Sequence, residues 1–158
     1  MSDNNGKPPV PEEMRVSKLR NGAVIDHLRP GTAVKAIQVL GAADGSTLSI
    51  GMYLESSKMG RKDILKIENK ILTQKEINKI AVLSPEATLC NIRDYKVVQK
   101  IKAHLPKEIA AIVRCNNPKC ITNHEKIATQ FTVVSGDPLK VRCRYCERAM
   151  SGDDIELL

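Results

Sequence analysis

Four of the five cysteines in this 158-residue chain fall into two hooks, Cys115-Asn116-Asn117-Pro118-Lys119-Cys120 and Cys143-Arg144-Tyr145-Cys146, separated by 22 residues. Folded together, such hooks present four thiolates in a tetrahedron, the closed coordination of a structural Zn²⁺, one per chain. The need is physical as well. A segment of ~50 residues buries too little apolar surface to offset its chain entropy, and small domains commonly add a metal or disulfides. Two disulfides are the alternative, a pattern typical of secreted chains. His124 lies four residues past Cys120 and could replace a thiolate, but Cys115, Cys120, Cys143 and Cys146 already fill the shell, so it reads as a surface group beside the site. A full protein shell leaves no position for water, which argues against a catalytic zinc. Cys90 stands alone in a strand pattern and reads as a small buried hydrophobe.

The second constellation is basic. The chain carries 25 Lys and Arg against 18 Asp and Glu, a net charge of +7 and a pI near 9.2. Residues 106–158 hold 8 basic and 7 acidic side chains, so nearly all the excess lies in the first 105 residues. An anionic partner is expected there. One Phe, three Tyr and no Trp leave almost nothing on which single-stranded nucleic acid could stack. The near-neutral cysteine-rich region lacks the basic stripe of a zinc-ribbon nucleic-acid-binding protein, the rival reading that the pI and the cysteine hooks invite. No apolar run reaches the ~18 residues of a membrane span, and the polar N-terminus lacks a secretory signal, so a cytoplasmic protein is expected, with neither membrane nor nucleic acid as partner. No Gly-x4-Gly-Lys-Ser/Thr loop or carboxylate cluster for Mg²⁺ is present, which points to anion binding without hydrolysis.

Hydrophobic periodicity supplies the elements that must position these groups. Residues 1–13, with three Pro and no apolar pattern, read as a disordered tail. β-rich runs are expected over 14–20 and 23–28, separated by a turn at Asn21-Gly22, then over 47–54, around Ile64, Leu65 and Ile67, and over 87–93 and 96–101. A helix over 32–40 opens after Pro30-Gly31. Thr73-Gln74-Lys75-Glu76 forms a capping box for a second helix that ends before Pro85. Two helices among antiparallel strands describe an α+β, ferredoxin-like two-layer sandwich over 14–104. Its uncovered sheet edges make edge-to-edge homodimers plausible. Pro106 marks the boundary to a small antiparallel β, zinc-ribbon-like domain over 105–158, with short strands at 109–114, 131–135, 140–143 and 154–158 and no helix. Ile101 and Leu105, leading into Ile109, Ile112 and Val113, are the expected seam between the two domains.

Within the first domain, Val24-Ile25-Asp26-His27, Gly60-Arg61-Lys62-Asp63 with Lys66-Ile67-Glu68-Asn69, and Tyr95 with Val97-Val98 and Lys100 occur in one order with the cysteine hooks. Over nearly the whole chain this combination resembles the regulatory chain of aspartate carbamoyltransferase. The resemblance implies a non-catalytic subunit. Its N-terminal domain would bind ATP and CTP in competition, with UTP a further candidate, CTP inhibiting and ATP activating. Its zinc domain would dock on the catalytic chain, which makes carbamoyl aspartate for pyrimidine synthesis, and its regulatory chains would pair as homodimers. Carried over by position, Asp26 and Lys66 would contact base and ribose, His27 and Lys100 the phosphates, and Tyr95 and Val97 the wall near the base. Val16, Ser17 and Leu19 would lie on the first-strand segment whose backbone touches the nucleotide. Cys90 stands where the family often has Asn, and Asn91, one residue on, is expected on the other face of its strand.

Overall fold

The computed structural model describes residues 18–42 and 45–158. Seven strands and helices build the first unit in the order β1 (Gly22–Leu28), α1 (Ala33–Val39), β2 (Leu48–Ser56), β3 (Gly60–Glu68), α2 (Gln74–Leu83), β4 (Thr88–Arg93) and β5 (Lys96–Lys102). The sheet order is β2-β3-β1-β4-β5 with antiparallel pairing throughout. This is the ferredoxin-like arrangement with β5 added beyond β4 through a two-residue turn. Asp94 and Tyr95 both take positive φ there (49° and 64°), the mirror-image turn whose twist matches paired strands.

Alternation assigns the two sheet faces. Ala23, Ile25, Leu65, Ile67 and Leu89 point to the helices and form one core with Ala36 of α1 and Ile77, Ile80 and Ala81 of α2. Each fully buried Ile or Leu contributes about 2 kcal/mol. The capping box of α2 is present: Glu76 N–H donates to Thr73 Oγ1 at 3.3 Å and Thr73 N–H to Glu76 Oε2 at 2.8 Å. The start of α1 is built differently from that of α2. The Thr32 hydroxyl turns back to donate to the Arg29 carbonyl at 2.7 Å. The fully buried Asp63 of β3 takes over instead, accepting from the Ala33 N–H at 3.0 Å and from the Tyr53 N–H of β2 at 3.0 Å.

Expectation and structure part at the first strand. Residues 14–17 lie outside the described residues, and 18–20 form no regular strand. Gly22, at φ 146°, opens β1 where an added Cβ would sit 2.1 Å from the Ile67 carbonyl oxygen, so only glycine fits this junction.

The second unit contains β6 (Glu108–Ala110), β7 (Val113–Arg114), β8 (Gln130–Gly136), β9 (Leu139–Cys143), β10 (Ala149–Ser151) and β11 (Glu156–Leu157). β6, β8, β9 and β10 form one antiparallel sheet, and β7 pairs with β11. The run expected as one strand over 109–114 is two. Ala111, at φ 56°, breaks it and donates its N–H to Thr129 O at 2.9 Å. Two single turns of 3₁₀ helix, Ile121–Asn123 and Gly152–Asp154, are the helical content of this unit.

The seam also differs from expectation. Ile101 packs against the first core, while Leu105 packs against the second, in which Ile109, Ile112 and Val113 are buried. Val82, on the face of α2 turned away from the first core, is 5% exposed and belongs to that second cluster. One helix thus serves two cores.

Candidate functional site

The cysteine hooks meet. The four Sγ atoms of Cys115, Cys120, Cys143 and Cys146 lie within 4.8 Å of one another, with Cys115–Cys146 at 3.5 Å and Cys120–Cys143 at 3.8 Å. These separations are far beyond the ~2.05 Å of a disulfide, and all four thiols are free. Cys143 sits at the end of β9, and its sulfur accepts from the backbone N–H groups of Tyr145 and Cys146, while Asn117 N–H donates to Cys115. Such turns aim a sulfur pair at one point.

Their protonation shows why a cation belongs there. Burial pushes the Cys115 thiol up to about 12 and raises that of Cys143. Burial would raise Cys146 too, but hydrogen bonds from the Asn117 side chain and the Arg148 backbone, together with those to its neighbouring thiols, bring it down to about 7. Four sulfurs this close cannot all be anions unless a positive ion sits among them, so the donor set fits a structural metal with thiolate preference. His124 is exposed and bonds through Nε2 to the Pro118 carbonyl at 2.7 Å, outside the cluster.

The basic constellation gathers on the sheet face opposite the helices. The register aligns Lys66 of β3, Val24 of β1, Cys90 of β4 and Lys100 of β5 in one row across four strands. A second row holds Asp26, Thr88 and Lys102. Val97 pairs with Ile92 further along, and Tyr95 is exposed at the β4–β5 tip. His27 occupies a β-bulge: at φ 55° it and Asp26 together oppose one residue of β3, between the pairs Ile25↔Leu65 and Leu28↔Asp63. The bulge re-aims the imidazole. His27 N–H donates to Asp26 Oδ1 at 2.6 Å, and Nδ1 lies 3.2 Å from Thr88 Oγ1. Of the residues expected to contact nucleotide, Asp26, His27, Lys66, Val97 and Lys100 therefore lie on or beside one face. Tyr95 borders it, Leu19 is buried before β1, and Val16 and Ser17 lie outside the described residues.

The bulge also reveals a member that the sequence reading did not single out. Lys62, only 7% exposed, places its Nζ 3.0 Å from Asp26 Oδ1. This nearly buried ammonium, paired with Asp26, adds positive charge to the face that also carries Lys66. Cys90 is half-buried on this face rather than in a core. Burial raises its thiol, with the charge of Lys100 opposing and that of Asp26 reinforcing. Asn91 points to the helix side, where its side chain donates to Gln99 Oε1 at 2.9 Å.

Below this face, Arg29 grips Glu86 with two hydrogen bonds, Nε–Oε2 at 3.1 Å and Nη2–Oε1 at 3.0 Å. The hydrogen bond from Arg29 is the main reason the Glu86 carboxyl lies below the ordinary glutamate range. A depressed folded pKa means stabilisation that is complete above the unfolded value of about 4.3 and is lost as pH falls through the folded one. Acid titration of unfolding stability should therefore steepen below about pH 4.3 in the native chain and flatten there in Glu86→Gln. Equal slopes in the two proteins would contradict this pairing.

A two-layer sandwich with a basic open face, joined to a knuckle of four cysteines that fits a structural rather than a catalytic metal, is the architecture of this chain. Comparison with known proteins makes the assignment specific. Residues 14–104 match the family model of the aspartate carbamoyltransferase regulatory chain, allosteric domain, and residues 107–156 that of its metal binding domain. The chain is 48% identical over 146 residues to the aspartate carbamoyltransferase regulatory chain of Pyrococcus abyssi, covering 90% of this chain and 96% of the relative. It is 47% identical over 146 residues to that of Pyrococcus horikoshii, with the same coverage. Against that of Methanothermobacter thermautotrophicus it is 43% identical over 148 residues, covering 92% and 95%. The chain belongs to the family of aspartate carbamoyltransferase regulatory chains, and is a non-catalytic subunit with an allosteric and a metal-binding domain.

Proposed function

We propose that this chain senses nucleoside triphosphates for aspartate carbamoyltransferase, with ATP and CTP competing for the helix-free sheet face and CTP exerting feedback control on pyrimidine synthesis. The observation that supports the reading is the placement of Lys62, Lys66, His27 and Lys100 on or beside one sheet face with Asp26 and Thr88. A triphosphate brings about four negative charges, and one ammonium at ~4 Å contributes up to about 4 kcal/mol before desolvation is subtracted. His27 and Lys100 would hold the phosphates, while Asp26 and Lys66 read ribose and base. Cys90, placed mid-face, offers the base only a weak donor.

The metal is Zn²⁺, one per chain, serving structure alone. The domain it staples docks on the catalytic chain in the cytoplasm, and two regulatory chains pair through a sheet edge. Exposed apolar side chains on both edge strands, Ile50 and Met52 of β2 and Val97 and Val98 of β5, support that pairing.

Calorimetric titration of the purified chain with ATP and CTP tests the sensor reading. One saturable site per chain is expected, with each nucleotide displacing the other. Lys100→Ala should weaken CTP roughly tenfold, about 1.4 kcal/mol, without changing thermal stability. Absence of heat with both nucleotides, or undiminished affinity in the variant, would contradict it.

A further inference from the structure

The β1–β4 ladder ends at the pair Asp26 and Thr88, with the His27 imidazole beside Thr88. Just beyond it, after the end of β1 and before the start of β4, stand Arg29 and Glu86, joined by the two-pronged hydrogen bond described above. The backbone here is pinned as well. Arg29 N–H donates to Ser84 Oγ at 3.1 Å, and that hydroxyl donates to the His27 carbonyl at 3.4 Å. Ser84 is the C-terminal cap of α2, two residues after Val82, whose side chain is buried in the second core. Arg29 also reaches across the seam. Its Nη2, bonded to Glu86, lies 3.9 Å from Asp137 Oδ1 in the turn between β8 and β9, and β9 ends on the metal ligand Cys143.

We infer that Arg29 is the positioning residue through which occupancy of the nucleotide face reaches the metal-bearing domain. The inference rests on the sensor reading above. An anion drawing on His27 shifts the bulged end of β1 against β4, and the guanidinium shared by Glu86 and Asp137 converts that shift into a changed hold on the β8–β9 turn. Asp137 is 85% exposed at its side chain and Arg29 31%, so the shared cation can trade partners without opening a core. A ligand biases the two arrangements only by its differential affinity for them.

The test uses the full-length, metal-loaded chain with CTP and ATP as probes, and reads binding by calorimetry and hydrogen exchange across residues 136–139. In the native chain, saturating nucleotide should change exchange in the turn by about threefold or more. Arg29→Gln and Asp137→Asn should each abolish that change while holding nucleotide affinity within about twofold, and Arg29→Lys should restore part of it. Asp137 is an exposed turn side chain that meets the sandwich at Arg29 and belongs to neither core, so loss of response in Asp137→Asn would not be a folding defect. Retention of the full response in both variants overturns the inference, as does a native chain that binds nucleotide with no change in the turn. A native chain that binds neither ATP nor CTP overturns the sensor reading itself.

Discussion

Cys143→Ser should leave the sandwich folded and residues 107–158 without fixed structure. Cys143 is fully buried, closes β9 and lies 3.8 Å from Cys120, so its loss removes one ligand and the point on which β9 ends. A thiolate site of this kind contributes on the order of 10 kcal/mol to folding, more than the whole margin of a typical domain. A hydroxyl is a far poorer ligand for a soft site, and the remaining three thiols sit too close together to ionise unaided. Metal content, near one equivalent in the native chain, should fall below about a tenth in the variant, and exchange protection across 130–143 should vanish. Under the proposed function, co-purification with the catalytic chain should vanish too, while CTP binding persists. A variant that keeps both its metal and its protected β8–β9 hairpin would show that three thiolates suffice and that the hooks are not what holds this domain.

The largest single loss within the sandwich is expected from Asp63→Ala. This carboxylate is fully buried and receives two backbone N–H groups, one opening α1 and one from the bulged Tyr53 of β2, whose φ is 54°. Alanine strands both donors away from water at roughly 1–3 kcal/mol each, so the variant should lose about 3–4 kcal/mol in urea denaturation. Asp63→Asn retains one acceptor oxygen and should recover about half of that. The change should also weaken nucleotide binding, because Lys62 is the adjacent residue on β3 and its reach to Asp26 depends on where that strand is held. A cost below about 1 kcal/mol would mean that water or another acceptor replaces the carboxylate.

These two residues mark where sequence is transparent and where it is not. The hooks were legible because thiolate spacing encodes its own geometry, and the capping box at Thr73 because all its partners lie within one helical turn. Asp63 was not, since its two partners are 30 and 10 residues away and a carboxylate beside Lys62 looks like surface decoration. The start of α1 was legible from Pro30-Gly31, but the group that holds its first N–H was not, because the Thr32 hydroxyl bonds backward to Arg29 and leaves that N–H to Asp63. Lys62 was visible within Gly60-Arg61-Lys62-Asp63, but its pairing with Asp26 was not, because that depends on the bulge at His27 and one extra residue in a strand leaves no periodic trace. Asn91, by contrast, lies on the face that strand alternation assigns to it. Val82 lies off the Ile77-Ile80-Ala81 stripe of α2, and only the tertiary fold supplies the second core that covers it.

That shared helix sets an order of events during synthesis. The last sulfur ligand is residue 146, and β11, which completes the pairing of β7, ends eleven residues later at Leu157. Every residue of the sheet has by then left the ribosome, so the sandwich can close first. Val82 must meanwhile wait uncovered while some sixty further residues are translated. The nascent chain carries a sticky spot on an otherwise finished module, and capture of the ion is the step that retires it.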